Sequence, residues 1–362
     1  MTLIPQRTVA GQLAQHLRGE IARGAWHGWL PSERSLSARL QASRNSLRTA
    51  LRQLEAEGLV EPSRGRGHRV LAARPAPETP PGPRTVGLLL PEPIGRVRPL
   101  VALWIDELRE MLPAHGCHLR VHTGRHYYGA QPVRALERLV AQEAHAAWIL
   151  TLSAEPLQQW FALAGVPALV AGSVFGDLDL PFVDADNRAS CRHAAGTLLR
   201  HGHRRVALLL RRERRPGDAE SERGFLEGMG RSRHAGVIAE VASCGDEPDS
   251  VASALDRLLR GRRPPSALIV CNPYIYLTVQ SLLARRRLRV PEDISLISRD
   301  DDPFLPFVVP QPARYAISPH SFACKLLHHV LQLLEHRAVA PRQNRLLLKF
   351  VPGASISPPP RT

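Results

Sequence analysis

The chain has 362 residues, 44% of them hydrophobic, and a formal net charge of +15, which suits about two or three domains that each bury a core. No apolar run approaches the roughly 18–20 residues that span a bilayer, and the N-terminus lacks an apolar signal segment, so we expect a cytoplasmic protein. The five cysteines form no CxxC pair and the histidines form no HExxH motif, which argues against a disulfide framework and a metal site.

The positive charge is concentrated near the N-terminus. Residues 1–75 hold twelve arginines and five glutamates. A basic excess of this kind favours a polyanionic partner such as nucleic acid. The whole chain has only two lysines, Lys325 and Lys349, so a general preference for arginine accounts for part of the excess. Charge alone therefore does not identify the partner.

The first seventy residues predict three helices followed by two short strands. Apolar residues spaced by four over residues 8–24 are typical of an amphipathic helix. Ser32 and Ser43 are each placed to cap a following helix, and Gly58 ends the third one. The segment 59–71 then predicts two strands with a basic tip, a wing suited to a DNA groove or a phosphate.

The third predicted helix separates an apolar face from a basic one. Its apolar positions recur at the spacing of one helical face and are Leu47, Ala50, Leu51 and Leu54. Arg44, Arg48 and Arg52 form a second stripe spaced by four, and Ser43 and Asn45 add polar groups at the N-terminal end. Arginine pairs bidentately with guanine, asparagine pairs with adenine, and a helix N-terminus favours phosphate. The pattern therefore predicts a recognition helix that reads DNA.

Residues 8–71 resemble the GntR family of bacterial transcription factors. The resemblance rests on LPSER at 30–34, SRNSLRTALRQLEAEGL at 43–59 and GRGHRV at 65–70. It implies a winged helix-turn-helix domain that contacts double-stranded operator DNA. Matched position by position, it gives the DNA-binding role to Arg34, Ser43, Arg44, Asn45, Arg48, Gly65 and Arg66. The alternative for single arginines is a solvated position or a salt bridge within the helices.

A proline-rich linker separates this segment from a larger one. Residues 72–84 contain five prolines, a composition typical of polyproline II. Beyond it, short apolar runs alternate with helical patterns, as in α/β proteins with buried parallel sheets. The runs predicted as strands are 86–90, 146–152, 168–172, 206–210, 266–270 and 294–297. We therefore predict a DNA-binding domain at 1–71, a linker at 72–84, a two-lobed α/β domain at 85–352 and a disordered tail at 353–362.

Residues 84–352 resemble the sensor domain of the LacI/GalR family. The motifs that carry the resemblance include GVPALVAGS at 165–173, LLRHGHRRVALLL at 198–210 and VPEDISLISRDD at 290–301. The resemblance implies two Rossmann-like, periplasmic-binding-protein-like lobes around a ligand cleft, in a homodimer. We expect lobe one at 84–203 plus 317–337 and lobe two at 204–316 plus 340–352.

The resemblance also implies effector-binding residues in the cleft, with a small molecule such as a sugar as the ligand. In the family an arginine often grips the ligand at the position that Ser221 occupies here, and the family's Asn-Asp pair is Asn272-Pro273. The pairs Asp300-Asp301 and Asp186-Asn187 are kept. The candidate effector-binding residues are Asp186, Ser221, Asn272 and Asp300. The alternative for these residues is a hinge or helix-capping role.

Together the two segments predict a sequence-specific DNA-binding regulator, a repressor whose operator affinity is controlled by an effector. It would act as a homodimer on a pseudo-palindromic operator, with half-sites about one helical turn apart. The alternative is a regulator whose C-terminal domain only dimerises, which the departures at Ser221 and Pro273 favour.

An enzyme is not expected. Some GntR-type DNA binders are fused to an aminotransferase-like domain that uses pyridoxal phosphate, and this chemistry needs a Schiff-base lysine. Lys325 falls in a helical pattern and Lys349 in a terminal apolar run, neither in a phosphate-binding context. No GxSxG or Walker A motif is present. We therefore predict no catalytic residue, no cofactor and no metal, and the missing signal segment also disfavours a secreted binding protein.

Overall fold

The computed structural model divides the chain into two compact units, Met1–Gly82 and Pro83–Thr362. The described residues are 9–22, 26, 28–40, 42–63, 67–71, 84–213, 215–232, 235–336, 339 and 342–360. Within these ranges no helix is long and apolar enough to cross a membrane. The predicted linker, 72–84, falls outside the described residues except for its last position.

The N-terminal unit is a helix-turn-helix followed by a two-stranded wing. Its elements are α1 (Val9–Ala22), α2 (Glu33–Arg39), α3 (Arg44–Ala56), β1 (Val60–Ser63) and β2 (Gly67–Val70). Ser32 and Ser43 cap α2 and α3 as predicted, each accepting a hydrogen bond from the backbone N–H three residues on. The apolar face of α3 is buried against α1, because Leu47 and Leu51 lie with Leu17 in one core cluster.

The wing is an antiparallel pair in which Val60 of β1 lies opposite Val70 of β2. Gly67 begins β2 with φ of +89°, a conformation that glycine adopts without strain. The tip that joins the two strands lies outside the described residues. The predicted DNA-binding roles of Gly65 and Arg66 therefore fall on residues without a structural description.

Lobe one of the C-terminal unit is a six-stranded parallel sheet with the order β13-β7-β6-β5-β3-β4. Its elements are β3 (Arg84–Leu90), α4 (Pro99–Met111), β4 (Cys117–Thr123), α5 (Val133–Gln142), β5 (Ala147–Thr151), α6 (Glu155–Ala164), β6 (Ala168–Ala171), β7 (Phe182–Ala185), α11 (Pro319–His336) and β13 (Gln343–Leu346). Helices α4 and α11 cover one face of the sheet, and α5 and α6 cover the other. Both faces are therefore buried, as the continuous apolar strands require.

Lobe two is a second six-stranded sheet, with the order β14-β12-β11-β10-β8-β9 and only β14 antiparallel to its neighbour. Its elements are α7 (Asn187–Arg200), β8 (Arg205–Arg211), α8 (Pro216–Gly230), β9 (Ile238–Cys244), α9 (Pro248–Leu259), β10 (Ala267–Val270), α10 (Pro273–Arg285), β11 (Ser295–Ser298), β12 (Ala313–Ala316) and β14 (Lys349–Val351). Helices α7 and α8 pack on one face, and α9 and α10 on the other.

The lobe boundaries differ from the predicted ones. The prediction assigns α7 to lobe one, but Cys191 and Leu198 of α7 lie in the same buried cluster as Leu208 and Phe225 of lobe two. The prediction assigns β13 to lobe two, but β13 pairs with β7 in lobe one. The chain thus crosses between the lobes before α7 and again between β13 and β14. An apolar helix face shows that a helix is buried without showing which sheet it covers.

Two glycines of α8 allow it to pack closely against α7. A Cβ atom added at Gly224 would lie 2.0 Å from the carbonyl oxygen of Arg188, and one at Gly228 would lie 2.7 Å from that of Arg192. Any larger residue would push the helices apart. This packing fixes the position of α8, whose N-terminal end faces lobe one.

The predicted disordered tail is ordered as far as residue 360. Ser355 is fully buried, and its Oγ accepts a hydrogen bond from the Ala313 N–H at 2.9 Å and donates one to the Leu296 carbonyl at 2.6 Å. The Ser357 N–H donates to Ser295 Oγ at 3.0 Å. The polar, proline-rich composition predicts disorder, but Ser355 hydrogen-bonds backbone groups of β11 and β12, and Ser357 hydrogen-bonds a side chain of β11.

Candidate functional sites

The N-terminal end of α3 and the start of α2 form a polar surface that we call the α3 surface. Its members are the predicted DNA-binding residues that the structure describes, and all are exposed: Arg34, Ser43, Arg44, Asn45 and Arg48. The opposite face of α3 is buried in the core, so the helix cannot turn these side chains inward. The α3 surface is therefore available to a partner.

The guanidinium groups of the α3 surface differ in whether they form an ion pair. Arg34 and Arg44 have no ion-pair partner among the described residues. Arg48 donates a hydrogen bond from Nε to Glu33 Oε2 at 2.9 Å, in an exposed pair. Exposed pairs of this kind contribute at most about 1 kcal/mol. A phosphate could therefore replace Glu33 as the partner of Arg48.

Two side-chain contacts hold α1 and the wing against the C-terminal half of α3. Arg18 on α1 forms an ion pair with Glu57 at 2.5 Å, and hydrogen bonding to Arg18 lowers the pKa of Glu57. His68 on β2 contacts Glu55 on α3, with 2.8 Å between Nε2 and Oε1. Both glutamates are thus used to orient neighbouring elements.

The second site is a cavity of about 200 Å³ between the two lobes of the C-terminal unit. Its walls include the carboxyl ends of parallel strands, the place where open α/β sheets bind ligands. Polar residues from both lobes line it, among them Ser153, Ser173 and Asp184 from lobe one and Arg211, Arg215 and Arg299 from lobe two. An apolar recess of about 130 Å³ shares part of this lining, including Trp104 and Phe322, whose rings pack against each other.

Two larger hollows accompany the cavity. One, of about 700 Å³, shares Asp184 and Arg215 with the cavity and extends along residues 174–180. The other, of about 900 Å³, lies along α7 beside Tyr315 and Phe350, and no described Asp, Glu or Asn lines it. The inter-lobe cavity is the better candidate for a ligand site because it lies at the carboxyl ends of strands from both sheets.

Arg299, at the end of β11, organises the lobe-two wall of the cavity. Its Nη1 donates to Asp218 Oδ1 and to Ser221 Oγ, both at 2.8 Å, and its Nη2 donates to Asp300 Oδ2 at 2.9 Å. Ser221 is fully buried, donates to the Gly217 carbonyl at 2.8 Å and does not line the cavity. The structure thus places Ser221 behind Arg299 rather than in front of a ligand.

Asp300 is the predicted effector residue that lines the inter-lobe cavity. Burial alone would raise the pKa of its carboxyl, but the guanidinium groups of Arg299 and Arg98 lower it to about 2. Asp300 is therefore ionised throughout the physiological range. Its side chain can accept hydrogen bonds from ligand hydroxyl groups.

Asp186 and Asn272 cap helices. Asp186 Oδ1 accepts a hydrogen bond from the Ala189 N–H at 2.8 Å at the start of α7. Asn272 Oδ1 accepts hydrogen bonds from the N–H groups of Tyr274 at 2.8 Å and Ile275 at 3.2 Å at the start of α10. Asp186 also lines the hollow of about 700 Å³, whereas Asn272 lines none of the cavities described above. The four predicted effector residues thus do not converge on one point.

Three consecutive aspartates connect the cavity to the contact between the lobes. Asp300 faces the cavity, Asp301 accepts a hydrogen bond from Arg314 Nε on β12 at 2.7 Å, and Asp302 reaches lobe one. Asp302 accepts from Arg98 Nε at 2.8 Å and from the Leu100 N–H at 3.1 Å at the start of α4. We call the contacts of Arg98 and Leu100 with Asp302 the inter-lobe bridge.

Sequence reasoning missed several cavity residues. Arg98, Arg211, Arg215 and Arg299 line the cavity without belonging to a predicted effector set. Their positions in the sequence could have indicated that two of these residues line the cavity. Arg211 ends a buried strand, and Arg299 directly precedes the retained aspartates. Neither lysine, on α11 and β14, is among the residues that line the cavity.

Two stretches of the chain match known families. Residues 9–70 match the bacterial regulatory proteins of the gntR family, and residues 195–356 match the periplasmic binding protein-like domain. The HTH-type transcriptional regulator CelR of Thermobifida fusca is 28% identical over 196 residues, which are 52% of this chain and 56% of that protein. The regulator AglR of Rhizobium meliloti is 27% identical over 158 residues, 43% of this chain and 44% of AglR. The chain thus spans about half the length of the curated relatives it matches.

Solved structures share the fold of the C-terminal unit. A LacI family transcriptional regulator from Bifidobacterium animalis has a TM-score of 0.65 at 21% identity, over 76% of this chain and 98% of that one. A complex of the transcriptional regulator CelR with cellobiose has a TM-score of 0.65 at 19% identity, over 90% of this chain and 100% of that one. The predicted α/β architecture is confirmed. The chain therefore combines a winged helix-turn-helix domain of the gntR family with a periplasmic-binding-protein-like domain that has the two-lobed fold of LacI-family regulators.

Proposed function

We propose that this protein is a transcriptional regulator, acting in the cytoplasm as a repressor, that binds specific double-stranded operator DNA. A small molecule bound between the lobes would change its affinity for that DNA. The observation that carries the proposal is the α3 surface, where three arginines and an asparagine are exposed on a capped helix-turn-helix.

The chemistry of the α3 surface suits base reading in the major groove. Arg44 and Arg48 can pair bidentately with guanine and Asn45 with adenine, each such pair discriminating by about 1–3 kcal/mol. Arg34, on the preceding helix, is placed for a phosphate contact that sets the register. The N-terminal end of α3, capped by Ser43, adds partial positive charge on the same side.

A homodimer would lengthen the interface with DNA. One recognition helix reads only a few base pairs, so specific binding usually combines two helices on half-sites about 34–36 Å apart. We propose that the C-terminal units hold two chains together in this arrangement.

The inter-lobe cavity supports the proposed effector. It combines charged and hydroxyl side chains with the apolar recess beside Trp104 and Phe322, a mixture typical of small-molecule sites. The CelR structure named above contains cellobiose, and for this chain we propose a small hydroxylated ligand that contacts Asp300. Because the inter-lobe bridge lies next to Asp300, a bound ligand can favour one lobe arrangement over another.

A second candidate function is a regulator whose C-terminal unit only dimerises. It is favoured by Ser221 and Asn272, whose side chains are used in hydrogen bonds within the protein. Under this alternative, no small molecule would change the affinity for the operator.

The test begins with genomic DNA fragments selected by the whole chain, followed by fluorescence anisotropy on the enriched sequence and on a scrambled copy. We expect binding to the enriched sequence at least a hundredfold tighter at fixed salt. Equal affinity for the two DNAs would refute the proposed function. The same titration repeated with a metabolite panel separates the two candidates, since only the effector-controlled regulator changes its affinity.

A further inference from the structure

The inter-lobe cavity is rich in guanidinium groups. Four of them line it, from Arg98, Arg211, Arg215 and Arg299, together with three carboxyl groups, from Asp184, Asp218 and Asp300. What decides the ligand chemistry is which of these charges are already paired within the protein.

Two of the carboxylates are engaged with Arg299. Asp218 accepts a hydrogen bond from Arg299 Nη1 at 2.8 Å and one from the Arg215 backbone N–H at 3.1 Å. Asp300 accepts from Arg299 Nη2 at 2.9 Å and lies 3.8 Å from Arg98 Nη1. Arg98 is itself bound to Asp302 in the inter-lobe bridge. The positive charges of Arg98 and Arg299 are therefore balanced by the carboxylates of Asp218, Asp300 and Asp302.

The third carboxyl, Asp184, is ionised less completely than an ordinary aspartate. Burial raises the pKa of Asp184 to about 6, although the Ser173 hydroxyl and the Ala185 N–H donate hydrogen bonds to it. A carboxyl with this pKa is mostly ionised at pH 7, where about a tenth of it is protonated, and it is half protonated near pH 6. It can then donate or accept a hydrogen bond and repels an anion less than an ordinary aspartate does.

Arg211 and Arg215 are paired less closely with carboxylates than Arg299 is. The nearest carboxylate to Arg211 is Asp218 at 3.8 Å, and Arg211 Nε is buried without a hydrogen-bond partner among the described residues. Burial, with the neighbouring Arg211, lowers the pKa of Arg215 to about 10, and the structure describes no ion pair for its side chain. Glu213, Asp246 and Glu247 line a hollow on the far side of both arginines, but none of these carboxylates forms an ion pair with either arginine among the described residues.

The backbone adds to this excess of positive charge. Arg211 ends β8 and Arg215 directly precedes α8, whose first residues, Pro216 and Gly217, line the cavity. The N-terminal end of a helix carries partial positive charge. An anion that enters the cavity beside Arg211 and Arg215 would therefore meet the positive charge of both guanidinium groups and of the helix end.

We propose that the inter-lobe cavity binds a small hydroxylated anion, a carboxylate or a phosphate monoester, whose charged group is held by Arg211 and Arg215. This inference rests on the proposed function, since it names the class of effector. Ser153, Asp184 and Asn187 would meet hydroxyl groups, and the recess beside Trp104 would take the apolar face of the molecule. The cavity and its recess together reach the lower end of the roughly 300–1,000 Å³ range of small-molecule sites.

The experiment uses the whole chain and matched probes in three charge states. D-glucose, D-glucuronate and D-glucose 6-phosphate form one set, and D-galactose, D-galacturonate and D-galactose 6-phosphate form another, all at one ionic strength. Dissociation constants come from thermal shift and calorimetry. We expect at least one anionic probe to bind tenfold or more tightly than its neutral counterpart. A carboxylate or a phosphate as the tighter binder identifies the source of the charge.

The variants test the two arginines directly. Arg211→Gln and Arg215→Gln should each weaken the anionic probe at least tenfold, whereas Arg212→Gln, which removes an exposed arginine next to Arg211, should change its affinity less than twofold. If a variant fails to fold, the unaltered protein still decides, because the affinity for an anion should fall with added salt and that for a neutral sugar should not. Equal or tighter binding of the neutral probes, or no binding of any anionic probe, overturns the inference.

The outcome is independent of the DNA assay. A protein that binds an anionic probe but no specific DNA would refute the proposed function and keep the anion site. A protein whose operator binding responds only to neutral sugars would keep the proposed function and refute the anion site.

Discussion

Arginine has two different physical roles in the two units of this protein. On the α3 surface, Arg34 and Arg44 are exposed and have no ion-pair partner among the described residues. In the inter-lobe cavity, Arg299 is buried and hydrogen-bonded to Asp218, Ser221 and Asp300. Exposure keeps Arg34 and Arg44 available to a large polyanion, whereas the buried Arg299 is committed to a fixed set of partners.

The energetic difference between the two groups is large. Exposed charges are screened by salt and exposed pairs contribute little, so the α3 surface costs the fold almost nothing. Breaking a buried pair leaves an uncompensated charge away from water. Substitutions in the two regions should therefore separate stability from DNA affinity.

The largest expected effect is on stability, from Asp218→Ala. The change removes the carboxylate that accepts from Arg299 Nη1 and leaves this buried guanidinium with one counter-charge fewer. We expect the free energy of unfolding to fall by about 3–5 kcal/mol, measured by urea denaturation with circular dichroism. Asp249→Ala, at an exposed position in the first turn of α9, is the matched control. A loss below about 1 kcal/mol would show that the buried network contributes little.

Arg44→Ala should have the next largest effect, on DNA affinity alone. Loss of a base contact should weaken operator binding by about 1–3 kcal/mol, roughly 5- to 150-fold, while the unfolding free energy changes by less than about 0.5 kcal/mol. Anisotropy titrations at several salt concentrations provide the measurement. Arg44→Lys separates charge from geometry, since a lysine keeps a phosphate contact but not a bidentate base contact. Unchanged affinity in both variants would remove Arg44 from the interface.

A third prediction concerns pH. Burial raises the pKa of Asp184 to about 6, above its ordinary value of 3.8, so the protonated form stabilises the fold at low pH and this contribution is lost as pH rises through 6. The Asp184→Asn variant has no ionisable group at this position. Between pH 4 and pH 8 the unaltered protein should therefore lose on the order of 2 kcal/mol relative to the variant. Parallel stability curves for the two proteins would contradict the raised pKa.

The smallest effect is expected from Glu33→Gln, which breaks the exposed pair with Arg48. The unfolding free energy should change by less than about 0.5 kcal/mol. Affinity for DNA of random sequence should rise slightly, because a negative charge next to Arg48 is removed. A loss of stability comparable to that of Asp218→Ala would mean that exposure does not distinguish the two groups of arginines.

The elements that could be predicted from the sequence are those with a strong local pattern. The caps Ser32 and Ser43 and the apolar face of α3 follow from spacing within one helix. The strands predicted in the larger unit are those with continuous apolar runs. Six strands are absent from the predicted runs. Four of them, β4, β9, β13 and β14, lie at the edges of the two sheets, where half-exposed polar residues hide the pattern. The other two, β7 and β12, are interior strands of four residues that include a charged residue, so their apolar runs are too short to give a clear pattern.

The cavity was harder to predict because its contacts are distant in sequence. Arg299 meets Asp218 across 81 positions and Arg98 meets Asp302 across 204. Asp300 could be identified from a retained motif. The roles of Arg211 and Arg215 depend on which carboxylates remain unpaired around them, which is a property of the folded structure.

Because Asp300, Asp301 and Asp302 are consecutive, the covalent path from a bound ligand to the contact between the lobes is short. The first faces the cavity and the third holds Arg98 of lobe one, so the two are separated by at most about 7 Å of extended chain. Ligand binding at Asp300 can thus change the contact between the lobes through two peptide units. No series of packed side chains across a sheet is needed. A one-residue insertion or deletion here would place every carboxylate opposite the wrong partner. We therefore expect the length of this segment to be less tolerant of change than its composition.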